Sequence, residues 1–136
     1  PRGFITDLVF FAAGYYIYYY IQWTNMPATL TEFAGGRYRI YYDLTNFTQA
    51  RLVGTVIVAG AANAQIRVQY STDQTNWYYL DGTSGPYVSI GTTGYKISSW
   101  VNIASGAKTN VYLRLVGING DGTADPQFNS FRLQLR

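Results

Sequence analysis

A chain of 136 residues with ten lysines and arginines, seven acids, no cysteine and no histidine has the length of one compact domain plus an appendage, and needs no cross-link to fold. The two missing residue types exclude disulfides, thiolate or imidazole metal sites, a cysteine nucleophile and a Ser-His-Asp triad. Charged residues make up 12% and aromatics 18% of the chain, a balance that suits proteins buried against neighbours of their own kind, and the eight arginines are scattered without the clustered charge that a nucleic-acid groove requires.

The first element is the most unusual. Between Phe4 and Trp23 the only charge is Asp7, and residues 10–23 read FFAAGYYIYYYIQW, with five tyrosines in six residues at 15–20. Coiled into a helix, residues 4–23 would measure about 30 Å, enough to cross a bilayer. The tyrosine hydroxyls oppose that reading, because they would fall near the middle of the span, whereas tyrosine favours the membrane interface. Tyr, Phe and Ile also suit a strand, and Gly14 would mark a bend in it. A free apolar strand of this length invites edge pairing. Burial by neighbouring subunits removes that hazard and supplies partners for the hydroxyls. Residues 1–26 are therefore expected to form a hydrophobic assembly arm or stalk, with oligomerisation carried by Phe4, Leu8, Phe10, Phe11, Tyr15, Tyr16, Ile17, Tyr18, Tyr19, Tyr20 and Trp23. A membrane-spanning or filament helix over 4–23, and an internal strand of the domain, are the alternatives.

From residue 31 onward the period is two. Arg37 to Tyr42 is a weak strand signal, and residues 52–58 form a β-branched run that reads as a buried strand. Ile66, Val68 and Tyr70 alternate with Arg67 and Gln69. Residues 96–103 are again weak. Val111, Leu113 and Leu115 alternate with Tyr112 and Arg114, and Phe131, Leu133 and Leu135 with Arg132, Gln134 and Arg136. Turn residues punctuate these runs, among them Gly35-Gly36, Asp81-Gly82, Ser84-Gly85-Pro86 and Asn119-Gly120-Asp121-Gly122. The expectation is an all-β fold: an antiparallel β-sandwich of jelly-roll type spanning 27–136.

Four pieces of this sandwich are distinctive: Asp43-Leu44-Thr45, Gln69-Tyr70-Ser71-Thr72-Asp73, the tryptophans Trp77 and Trp100, and Gly120-Asp121-Gly122-Thr123-Ala124-Asp125-Pro126. With the sequence around them, residues 23–136 resemble a β-domain found in tailed-phage virion and tail-fibre-associated proteins. That resemblance implies an external structural or adhesive module on a virion or extracellular surface. Its partners would be copies of itself and other virion proteins, with a cell-surface glycan as a further ligand. Separately, Arg2-Gly3-Phe4-Ile5-Thr6-Asp7-Leu8 is similar to the start of type IV pilin-like subunits, with the acid one position early. This second resemblance implies a filament-forming surface subunit with residues 4–23 as its buried helix.

Candidate chemistry is sparse. Asp and Glu are the main acid-base groups left, and Asp43, Asp73, Asp81, Asp121 and Asp125 sit in turn contexts where Asp bonds its own backbone. No enzymatic activity and no cofactor are expected. Asn119, Asp121 and Asp125 form a partial calcium pattern that lacks its first-position acid, which is Gly117 here. A metal-free turn explains the same residues. Trp77 and Trp100 are expected to fill the space between the sheets. Of Tyr78 and Tyr79, one must point outward, and these two are the candidates for ligand binding as a carbohydrate platform. A lone carbohydrate-binding module is the third functional reading. The outward residues Arg67, Gln69, Arg114, Arg132 and Gln134 share a face only if their strands are neighbours.

Overall fold

The structure, a computed structural model, describes residues 5–9, 20–37 and 41–136. Its elements are β1 (Thr6–Val9), β2 (Ile21–Gln22), β3 (Thr31–Arg37), β4 (Gln49–Val58), β5 (Gln65–Ser71), β6 (Tyr78–Tyr79), β7 (Tyr87–Ser89), β8 (Gly94–Ile97), β9 (Val101–Asn102), β10 (Tyr112–Ile118) and β11 (Gln127–Leu135). They form two antiparallel sheets packed face to face, the β-sandwich that the alternation implies. The first sheet runs β1-β11-β4-β8, with β2 also on β11 and β9 also on β4; the second runs β3-β10-β5-β6, with β7 also on β5.

Among the described residues, three of the four sheet edges are built from two short pieces laid along one longer strand. β1 pairs with β11 from Thr6↔Leu135 to Val9↔Arg132, and β2 pairs with the same strand at Ile21↔Phe128 and Gln22↔Gln127. Among the described residues, Val9 and Ile21 thus stand only four positions apart along β11. β6 and β7 share one edge of β5, and β8 and β9 share one edge of β4.

The inward faces follow the period of two. Ala50, Leu52 and Val56 of β4 and Phe128, Phe131, Leu133 and Leu135 of β11 meet Phe33, Ile66, Val68, Leu113 and Leu115 of the second sheet in one buried cluster. β11 holds both Phe128 and Phe131 inward by means of a bulge: Asn129 pairs with Thr55 and Arg132 with Val53, so three steps on β11 match two on β4. Ser130 takes a left-handed φ of 57° at that point, the extra residue that bends a bulged strand. Gly54 lies beneath the Phe131 ring and leaves no room for a side chain.

Of the segment expected to form an arm, the described residues 5–9 and 20–26 contribute to the sandwich. β1 and β2 belong to the first sheet, Leu8 packs against the core, and Trp23 and Met26 are inside it. Trp23 is 9% exposed, its ring tilted 4.7 Å from that of Phe33. Residues 23–28 are also laced to the 119–126 loop: Trp23 N donates to Pro126 O, Met26 N to Ala124 O, Asn119 N to Ala28 O and Gly120 N to Pro27 O. The continuous helix considered over 4–23 is likewise corrected at both of its described ends, which are strands. No helix among the described residues is long and apolar enough to cross a membrane.

The tryptophan expectation is corrected as well. Trp77 and Trp100 do not fill the inter-sheet space; both are half-buried outside the core cluster, and each lies against arginine on an outer face. The space they were expected to fill is occupied by Trp23, Phe33, Phe128 and Phe131.

Candidate functional site

The residues expected to mediate assembly divide in two. Phe4, Phe10, Phe11, Tyr15, Tyr16, Ile17, Tyr18 and Tyr19 lie outside the described residues. Of the others, Leu8 sits on the β1 edge opposite Leu133, Tyr20 is 48% exposed just before β2, and Trp23 is committed to the core. The apolar run therefore begins and ends at one sheet edge, beside β11.

The outer faces carry the most ordered side-chain chemistry. On the second sheet, the Arg114 guanidinium lies with Cζ 4.3 Å from the centre of the Trp77 ring; its Nε and Nη2 donate to Gln69 Oε1, and its Nη1 donates to Glu32 Oε1 at 3.0 Å. Arg67 repeats the arrangement. Its Cζ is 5.3 Å from the Tyr79 ring and 5.0 Å from the Tyr87 ring, while Nε and Nη2 donate to Gln65 Oε1 and Nη1 to Ser84 O. On the first sheet, Arg51 and Arg136 both lie against Trp100, with Cζ at 4.4 and 4.0 Å, and their Nε groups donate to Gln134 and Gln49. A glutamine oxygen thus fixes each of four guanidiniums over an aromatic ring, where the ring quadrupole favours the cation. The same device recurs because a strand places Arg and Gln two apart, or on adjacent strands, on one face.

The outward set read from the sequence is accordingly split. Arg67, Gln69 and Arg114 share the second sheet, whereas Arg132 and Gln134 belong to the first. Arg132 contacts Asp7 at 3.7 Å and Tyr95 Oη at 3.5 Å. Val116, cross-strand from Arg67 and Glu32, is fully buried although it lies outside the core cluster. Long side chains lying flat over the sheet account for that burial.

Tyr78 and Tyr79 fall on opposite faces. Tyr79 stands opposite Gln69, over Arg67 on the outer face; Tyr78 stands opposite Tyr70, its ring 5.8 Å from it, and is 56% exposed at the sheet edge. They do not form one platform, and Trp100 is on the other sheet. An open groove of about 300 Å³ runs between β7 and β8. Its lining includes Tyr87, Ser89, Lys96 and Ser98 and no carboxylate.

Five of the seven acids sit in loops, the exceptions being Asp7 on β1 and Glu32 on β3. Asp121 Oδ1 accepts from Thr123 N and Ala124 N, and Asp125 Oδ1 accepts from Asn25 N at 2.7 Å. Asn119 has a left-handed φ of 64°. Asn119, Asp121 and Asp125 thus build the loop that holds residues 25–28, and among the described residues no three His, Cys, Asp or Glu gather as metal ligands. Asp73 Oδ1 accepts from Thr75 N, Asn76 N and the Ser71 hydroxyl, and Asp43 accepts from Thr45.

Asp81 is the most integrated of these acids: Oδ1 accepts from the backbone N–H groups of Thr83, Ser84 and Gly85. Its partial burial works to raise its pKa, and the three backbone donors outweigh that and lower it. Hydrogen bonds to the carboxylate also lower Asp43, Asp73 and Asp121, from Thr45, Asn76 and Ala124 foremost. A depressed folded-state pKa contributes stability above the unfolded value, and that stability is lost as pH falls through the folded one. With no histidine in the chain, stability is expected to be flat from about pH 5 to 8 and to fall below about pH 4. Asp81→Ala leaves three N–H groups unmatched and is expected to cost about 1–3 kcal/mol at neutral pH. Urea denaturation at pH 7 and pH 3 tests both statements, and the gap between variant and parent should narrow at pH 3.

No protein-family model, curated protein or solved structure matches the chain.

Proposed function

We propose that this protein is a non-enzymatic structural subunit of a virus particle, of tail-fibre, tail or capsid-decoration type. It assembles with copies of itself and with other virion proteins through residues 10–20, and the sandwich faces outward. The observation that carries the reading is where the aromatic run meets the β11 edge. The described residues on either side of the chain's most aromatic run, Val9 and Ile21, stand only four positions apart on one strand, so both ends of that run are brought to one sheet edge.

The jelly-roll winding belongs to the same proposal. When each two-piece edge counts as one strand, the sheets read first-eighth-third-sixth and second-seventh-fourth-fifth. Such an order follows from two Greek keys wound together, an architecture used in viral capsid and lectin domains. The resemblance of residues 23–136 to tailed-phage β-domains points the same way. The alternatives, a pilin-like filament subunit and a lone carbohydrate-binding module, differ in the assembly they predict.

The test replaces residues 10–20 by a Gly-Ser-Gly-Ser linker, which at about 3.3 Å per residue spans the four positions along β11. The light-scattering mass of the full chain should correspond to a discrete oligomer, and that of the linker variant to a folded monomer with an unchanged β spectrum. An open-ended polymer would favour the filament reading. A monomeric full chain, or a linker variant that still assembles, would overturn the role given to this segment.

A further inference from the structure

At the Trp100 end of the first sheet, no Asp or Glu side chain among the described residues pairs with Arg51 or Arg136. The register aligns Arg51, Gln134 and Asp7 in one row across β4, β11 and β1, with Trp100 one residue before β9, and Asn102, Gln49 and Arg136 in the next row. Asp7 is separated from Arg51 by Gln134 and contacts Arg132 instead. The Arg51 and Arg136 guanidiniums both lie against one indole, so their Cζ atoms are separated by no more than the sum of 4.4 and 4.0 Å. Each is oriented through Nε, at 2.7 Å to Gln134 Oε1 and 2.8 Å to Gln49 Oε1, and Gln49 is itself steadied by Asn102. Among the described residues neither Arg51 nor Arg136 gives its Nη groups to an acceptor.

The contrast with the second sheet is informative. There Arg67 and Arg114 spend their Nη groups on Ser84 O, Gln65, Glu32 and Gln69, and are closed to a ligand. At Trp100 the glutamines satisfy only Nε, and the Nη groups of two guanidiniums remain beside one indole. A fork of this kind matches a carboxylate, sulfate or phosphate with N···O distances of about 2.8 Å.

We propose that Arg51, Arg136 and Trp100 form a binding site for an oxyanion, either a free ion or the acidic substituent of a longer glycan. The site is independent of the assembly segment, so it stands or falls separately from the oligomer reading.

The test follows the Trp100 indole N–H and the two arginine Nε–H signals of the full chain by NMR, with Trp100→Phe to assign the indole. The probes are sodium phosphate, sulfate and acetate against sodium chloride at matched ionic strength, then an oligogalacturonate against a neutral oligogalactoside. Saturable shifts with the oxyanions and none with chloride are expected. Arg51→Gln and Arg136→Gln should each weaken binding about tenfold, since each removes one charge-assisted fork, with the remaining backbone signals unchanged. Tighter binding of oligogalacturonate than of acetate would identify a glycan substituent as the source, and equal binding a free ion. Shifts that chloride reproduces, or that survive both glutamine substitutions, would overturn the proposal.

Discussion

Trp23→Ala is expected to destabilise the domain by about 3–5 kcal/mol, the cost of truncating a large buried aromatic, against a total stability on the order of 5–15 kcal/mol. The ring is nearly inaccessible, tilts against Phe33, and lies where any side chain at Gly117 would stand: a Cβ there would be 2.5 Å from its Cζ3 atom. Phe33 in turn meets Phe128 edge-on at 5.9 Å, so the cavity would open in the middle of the aromatic cluster. Trp23→Phe should recover part of the loss, because the ring stack persists and only the second ring is missing. Urea denaturation read by circular dichroism measures both. A cost below about 1 kcal/mol would mean that the 23–28 segment is dispensable to the fold. For the same reason a chain starting at Asn25 should fail to fold, since it lacks β1, β2 and this tryptophan together.

The second large effect is expected at Gly54→Ala. An added Cβ would lie 2.5 Å from Phe131 Cδ1 and 2.6 Å from Cγ, closer than carbon atoms approach. Phe131 is fully buried and T-shaped against Phe128 at 5.3 Å, so its ring has little room to yield. Overpacking of this kind costs about 1–3 kcal/mol. The diagnostic is non-additivity: Phe131→Leu removes the clashing ring and should make the alanine at 54 far less costly than it is in the parent. If the two costs simply add, the contact is not the cause.

The alternation in β5, β10 and β11 made the sandwich legible before any coordinates, because a half-buried strand writes its core face into every second residue. The bulge at Ser130 was not legible; Phe128 and Phe131 are three apart, and only pairing with β4 shows why both face inward. Trp77 and Trp100 were misplaced because size and apolarity suggest a core, whereas a strand neighbour carrying arginine can hold a tryptophan on the outer face. The two-piece edges were hidden for a different reason. Pieces as short as Ile21–Gln22 and Val101–Asn102 have no period of their own and exist only through the long strands beside them. One signal for the outer-face clusters was present and missed: Gln and Arg repeat two apart at 49 and 51, 65 and 67, 132 and 134, and 134 and 136.

The fixing of arginine by glutamine also bears on the environments in which these faces keep their shape. A guanidinium presents its donors in a planar fork, and a glutamine oxygen that takes one of them sets the plane of the whole group. Three of the four rings rest on such couples alone, and only the Arg114 cluster adds an acid, Glu32. These rings are thus held chiefly by bonds between a charge and a neutral dipole, which added salt disturbs less than it does an ion pair, so the faces should keep their shape across changes of ionic strength.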